Sequence, residues 1–268
     1  MLVNNQNLAL MYQGFQKVYS DAYLKPTTYR NKVAMQVASS AAMEIYGWVG
    51  LFPSMREWLG ARVVNSLKAS SFTIVNKTFE STIAIDRNDM ADDRYGIYKP
   101  VFAETGYLAA MHPEELIFQL LVNGFTGKCF DGQNFFDTVH PAKDKTGADV
   151  GVSNNQGGAG TPWFLLDTSR EIKPLIWQER EPYTLESVVS STDNSVFTNN
   201  EFRFGVRARA NAGYGLWQLA YGSKQPLTAA NYALARAAMQ AFRSDQGRLP
   251  GIMPTTLVVP PTLEDARL

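Results

Sequence analysis

SSFTIVNKTFESTIAID, residues 70–86, is built from β-branched and aromatic residues. Two runs, Phe72-Thr73-Ile74-Val75 and Thr78 to Ile85, flank Asn76-Lys77, so the stretch predicts a β-hairpin with its turn at that dipeptide. Phe72, Ile74, Phe79 and Ile83 are too apolar for a solvated arm, which predicts that the hairpin rests on an adjacent subunit. Downstream, residues 86–94 hold four aspartates and two arginines, a net charge of −2. Asp86, Asn88, Asp89, Asp92 and Asp93 have the ligand chemistry of a hard cation, but their spacing lacks the glycine and closing glutamate of a calcium loop. A charge cluster facing a neighbour is the expectation, with Asp86, Asp89 and Asp92 seeking Arg203, Arg207, Arg209, Arg56 or Arg62. Upstream, Ala41 to Leu59 carries Tyr46, Trp48, Phe52 and Trp58 among Gly47, Gly50 and Pro53 and reads as compact turns.

Outward from this centre the chain alternates helix and strand signals. Leu8, Met11, Tyr12, Phe15, Val18 and Tyr19 give residues 5–24 an amphipathic helix whose apolar stripe, Phe15 and Tyr19 included, is expected to order against a neighbouring subunit. Two helices are predicted over about 97–111 and 113–125, divided at His112-Pro113. Leu116, Leu120 and Phe125 form the expected inward stripe, with Ile117 and Leu121 beside it. Residues 143–161, glycine-rich and without an aromatic, read as a flexible loop and a domain boundary. Trp163–Ile176, Ser187–Thr192 and Phe202–Ala220 read as extended; Thr228 caps a helix running to about Phe242, and Thr255–Val259 is a strand. The class is α+β.

The 268 residues hold 25 Lys+Arg and 25 Asp+Glu, so no global basic field exists to wrap nucleic acid. No apolar run reaches the roughly 20 residues of a membrane span, and MLVNNQNLAL has neither the basic nor the apolar region of a secretory leader. Cys129 is the single cysteine and His112 and His140 are the two histidines, which excludes an intrachain disulfide and a multi-thiolate metal centre. Cys129, Asp137 and His140 are the residue types of a nucleophilic triad, and a hydrolase using Cys129 and His140 is one alternative. Catalytic thiols and imidazoles usually come from distant parts of a chain, however, so Cys129 reads as a small buried hydrophobe and His112 as a helix-start residue. Asn211-Ala212-Gly213-Tyr214-Gly215 lacks the third glycine and following helix of a dinucleotide site, and Gly157-Gly158-Ala159-Gly160 lacks the lysine of a phosphate loop. Arg203, Arg207 and Arg209 share one face of a strand. No catalytic residue, cofactor or metal is expected.

Several co-linear strings carry a resemblance: Tyr46-Gly47-Trp48-Val49-Gly50, Phe52-Pro53, Met55-Arg56-Glu57-Trp58, Asp86-Arg87-Asn88-Asp89, Asp131 to Asp137, His140-Pro141, Asn211 to Gly215 and Leu257-Val258-Val259-Pro260-Pro261. In this order, from about residue 10 to 265, the chain resembles the major head subunit family of Mu-like tailed phages. The resemblance implies a major capsid protein with the Hong Kong 97-type fold, self-assembling into an icosahedral shell around double-stranded DNA. It implies an N-arm at 1–40, a peripheral domain at 41–65 and 93–155 containing a long helix, an extended E-loop hairpin at 66–92, and an axial domain at 156–268 with strands returning to the peripheral domain. It also implies pentamers and hexamers, a separate scaffolding protein, a portal, a decoration protein and DNA held without sequence specificity. The resemblance further implies no membrane and a location in the virion, with assembly in the host cytoplasm. A tail or adaptor component is the other alternative.

Overall fold

The protein is described by a computed structural model over residues 5–47, 72–92, 95–146, 148–190, 192–243 and 249–266. Trp48, Phe52, Trp58, Arg56, Arg62, Asp93 and Arg94 lie outside the described residues, as does the 66–71 part of the expected hairpin. Helix α1 (Asn5–Tyr23) and the short α2 (Arg30–Val33) lead into β1 (Ala34–Ala38) and β2 (Met43–Tyr46). β3 (Phe72–Val75), β4 (Lys77–Asp86), α3 (Arg87–Ala91) and the long α4 (Tyr95–Val122) follow. Next come β5 (His140–Lys143), β6 (Asp149–Val152), β7 (Asn155–Gly158) and β8 (Trp163–Leu166). β9 (Leu175–Val188) and β10 (Glu201–Tyr214) are joined through α5 (Asn194–Asn199), and β11 (Ala220–Lys224), α6 (Ala229–Gln240) and β12 (Thr256–Val258) complete the order.

Two four-stranded sheets organise these elements, one in the order β1-β9-β10-β4 and the other β12-β8-β11-β7. In β10, Phe202, Phe204, Val206, Ala208 and Ala210 are buried while Glu201, Arg203, Arg207 and Arg209 face outward, the period of two that a one-sided strand requires. Helices α1 and α4 cover the buried face. Phe15 stacks on Phe102 at 4.0 Å, and both meet Phe204 edge-on at 5.5 and 5.0 Å. Burying one such ring contributes about 1.5–3 kcal/mol. β8 is buried at every residue, and α6, capped by Thr228 as expected, sets Ala235 and Met239 inward.

Three expectations are corrected here. The 72–86 stretch is not a hairpin: β3 pairs antiparallel with β2, and β4 pairs along its whole length with β10. Asn76 is a corner rather than a turn, donating its backbone N–H to Ala42 and its amide to Ser39 Oγ and Ala41 O. Buried Gln178 binds this corner, donating to Ile74 O and Asn76 Oδ1 while accepting from Tyr46 Oη. Second, α4 runs unbroken through Pro113, and beyond that proline Ile117 and Leu121, rather than Leu116 and Leu120, are fully buried. Tertiary burial of Phe102, Ile117 and Leu121 outweighs one missing N–H. Third, residues 143–161 are not a free linker. β5 and β6 form a hairpin closed over Asp144, whose Oδ1 accepts the N–H groups of Thr146 and Ala148. β7 then joins the second sheet beside β11, with Gly158 at φ 98° where a Cβ would strike Lys224. The segment read as compact turns holds strand β2 at Met43–Tyr46, and the rest of that reading lies outside the described residues.

Candidate assembly surface and the buried polar cluster

The expected triad exists only in part. Cys129 Sγ donates to Asp131 Oδ1 at 3.1 Å, and His140 Nδ1 lies 2.7 Å from Asp131 Oδ2. Asp137 is elsewhere: its carboxylate accepts backbone N–H groups from Asn134, Thr138 and Val139. On its other side His140 Nε2 meets Asn154 Oδ1 at 3.1 Å, and its ring stacks on Trp217 at 4.0 Å. Asn154 Nδ2 donates to Phe135 O, Trp217 O and Ala220 O, so the cluster ties the 127–137 loop to the second sheet. Burial and the neighbouring Asp131 carboxylate push the Cys129 thiol well up, the opposite of an activated thiolate. Burial alone would raise the Asp131 carboxyl, but hydrogen bonds from His140 and Cys129 outweigh it and hold it below the usual value. The three ligating atoms lie within 4.8 Å of one another, yet each already has a hydrogen-bond partner within the cluster. Asp131 enters the sequence reading only as the start of the Asp131–Asp137 string, and Asn154 carries no sequence signal.

The expected contact residues divide into three groups. Phe15 and Tyr19 are 1% and 4% exposed and are used inside the protomer, where Tyr19 donates to Tyr183 O. The α1 stripe thus finds its partner in α4 and β10 of its own chain. Ile74 is likewise buried, packed against Gly213 where a Cβ would clash, and Phe72, Phe79 and Ile83 are half-buried. Within the protomer Asp86, Asp89 and Asp92 form no ion pair with Arg203, Arg207 or Arg209, and Arg56 and Arg62 lie outside the described residues. Asp86 is the N-cap of α3, accepting from Asn88 and Asp89 N–H; Asp89 accepts from Tyr98 Oη; Asp92 is exposed at the helix end. The arginines pair locally instead: Arg203 with Glu201, and Arg207 and Arg209 with one carboxylate, Glu181. His112, expected at a helix start, sits mid-helix with Nδ1 2.6 Å from Tyr183 Oη, and burial lowers its pKa.

One open surface lies on α4. Its inner side is buried, yet Ile97, Val101, Tyr107, Leu108 and Val122 are exposed large apolar residues on the other side. A helix that is apolar all round is one whose second face expects cover. Alongside it, between α4 and residues of β4, β9 and β10, runs a groove of about 660 Å³.

The Mu-like prophage major head subunit gpT family model matches residues 8–267. The chain belongs to this family. It is 43% identical to the "Major capsid protein" of Escherichia phage Mu over 272 residues, which cover 99% of this chain and 89% of that one. It is 37% identical to the "Mu-like prophage FluMu major head subunit" of Haemophilus influenzae, covering 96% and 85%. Among solved structures, a chain of the procapsid of bacteriophage JBD30 superposes with a TM-score of 0.86 at 42% identity, covering 97% of this chain and 89% of that one. The α+β Hong Kong 97-type capsid fold expected from the sequence therefore stands, and the function is that of a major capsid protein, a structural role without catalysis.

Proposed function

We propose that this head subunit closes, as pentamers and hexamers, into an icosahedral shell around double-stranded DNA that it holds without sequence specificity. The superposition with a procapsid subunit over 97% of the chain is the observation that carries this reading. Sheet β1-β9-β10-β4 with α1 and α4 acts as the peripheral domain, and sheet β12-β8-β11-β7 with α6 as the axial domain; β9 and β10 return to the former. Within the stretch expected to form the extended loop at 66–92, β3 pairs antiparallel with β2 and β4 with β10. Asp92, Arg203 and Arg207 remain exposed enough to pair with a neighbour, weakly and subject to salt. A scaffolding protein, a portal and a decoration protein act as assembly partners in the host cytoplasm. Electron microscopy of purified particles tests the reading: closed shells are expected, rings or tubes would favour a tail or adaptor component, and a persistent monomer would overturn it.

A further inference from the structure

Asn154 decides which nitrogen of His140 carries a proton. Its Nδ2 is committed as a donor to Phe135 O, Trp217 O and Ala220 O, and its Oδ1 already accepts the Asp137 N–H at 2.9 Å. The atom 3.1 Å from His140 Nε2 is therefore an acceptor, which makes Nε2 the donor. Nδ1 is left facing Asp131 Oδ2 at 2.7 Å, a lone pair against a carboxylate unless a cation stands between them. A proton fills that gap in the hydrogen-bonded cluster. The other carboxylate oxygen, Oδ1, faces a second proton, the one on Cys129 Sγ.

An imidazole nitrogen, a carboxylate and a sulfur that converge within 4.8 Å are also the ligand set of a zinc ion. The surroundings are those a ligating set needs. The His140 Nε2–H is tied to an amide oxygen, the ring is stacked on Trp217, and Asp131 Oδ1 accepts the Gln133 N–H at 3.0 Å. Charge favours the exchange as well. Taking up one dication and releasing two protons leaves the net charge of the cluster unchanged, which matters where the side chains of His140 and Asp131 are 0% and 7% exposed. Zinc bonds of about 2.0–2.1 Å to nitrogen and oxygen set those atoms roughly 3.3 Å apart, so the Nδ1–Oδ2 pair needs to open by roughly 0.6 Å. Asn134 O, 3.9 Å from Sγ, is near enough to supply a fourth ligand.

We propose that Cys129, Asp131 and His140 form a zinc site, with Sγ, Oδ2 and Nδ1 as ligands and Asn154 as the residue that holds His140 in the ligating tautomer. Binding exchanges the Sγ–H proton and the proton between Nδ1 and Oδ2 for one Zn²⁺, both protons leaving to solvent. The ion clamps the 127–137 loop to β5 and, through Asn154, to the second sheet. The site belongs to the folded subunit and stands whether or not the chain closes into shells.

The test strips full-length subunit with chelator under reducing conditions and then adds Zn²⁺ alone. One ion per chain is expected, with about two protons released per ion in weakly buffered solution. Zinc at about a hundredfold its dissociation constant should raise the melting temperature by about 5 °C. Co²⁺ in place of zinc should give the intense thiolate-to-cobalt absorption band, which Cys129→Ser should abolish, and His140→Gln should weaken zinc binding at least tenfold. No uptake by the wild-type chain would overturn the site. Uptake that both substitutions leave unchanged would mark an adventitious ion only and overturn it equally. Where a substituted chain does not fold, the wild-type chain decides, since cobalt bound without the thiolate band, or zinc bound without proton release, contradicts the assignment.

Discussion

The Cys129–Asp131–His140 cluster and the α4–β4 groove differ in what each leaves unsatisfied. In the cluster the thiol and both carboxylate oxygens have partners, each imidazole nitrogen lies within 3.1 Å of a side-chain oxygen, and the ring is stacked on Trp217. In the groove, Leu108 is 57% exposed and a ten-residue strand edge has no mate among the described residues. Closure marks a cluster that holds one protomer together, since a buried polar network stabilises only when every member is bonded. Incompleteness marks a surface that another molecule finishes. By residue type the cluster suggests chemistry and the groove suggests nothing, so hydrogen bonding and exposure decide more than composition.

The largest expected effect tests whether α1 belongs to the closed part. Phe15→Ala should cost the isolated subunit about 3–5 kcal/mol in denaturant unfolding, because its cavity would lie among Phe102 and Phe204. A cost below about 1 kcal/mol would return α1 to the open part, as a helix that orders only on a neighbour.

Asp131→Asn sharpens the same contrast at the cluster, with an expected loss of about 1–3 kcal/mol and no effect on any turnover. The carboxyl is held below its ordinary value in the folded chain, so the unfolded chain binds the extra proton. Its stabilisation is full above the usual carboxylate range and fades as pH falls through that range. The Asp131→Asn variant should therefore show a flatter acid limb, and an unchanged limb would argue that the network is not closed. Cys129, raised by burial, should resist alkylation at neutral pH in the native particle.

A smaller effect is expected at the end of β4. Asp86→Ala removes the cap of α3 and should lower subunit stability by about 1 kcal/mol, read as a shift in melting temperature. An assembly defect at unaltered stability would place Asp86 at a subunit contact instead. Smallest for the subunit is Leu108→Ser, at most about 0.5 kcal/mol, yet particle yield should collapse. Equal yield from that variant would close the groove as an assembly surface.

Helices and one-sided strands were legible in the sequence wherever the signal was local. The Thr228 cap, the α1 stripe and the alternation of Phe202, Phe204 and Val206 each lie within a few residues. Pairing partners were not. Two β-rich runs on either side of Asn76-Lys77 look the same whether they pair together or with strands roughly 30 and roughly 120 residues away. Pro113 misled for a related reason, because a local break signal yields to the burial of Ile117 and Leu121. The cluster was half legible: Cys129 and His140 stand out by rarity, while Asp131 and Asn154 enter only through the loop that brings them together. The open groove needs three dimensions, since Phe79 and Leu108 become neighbours only when β4 packs beside α4.

Hydrogen exchange on the isolated subunit and on the assembled particle tests the closed-versus-open distinction most directly. The account predicts that amides of 77–83 exchange at least tenfold more slowly in the particle, as the free edge of β4 is covered, while those of 127–140 around the cluster stay unchanged. Unchanged exchange along β4, with new protection at 127–140, would contradict it.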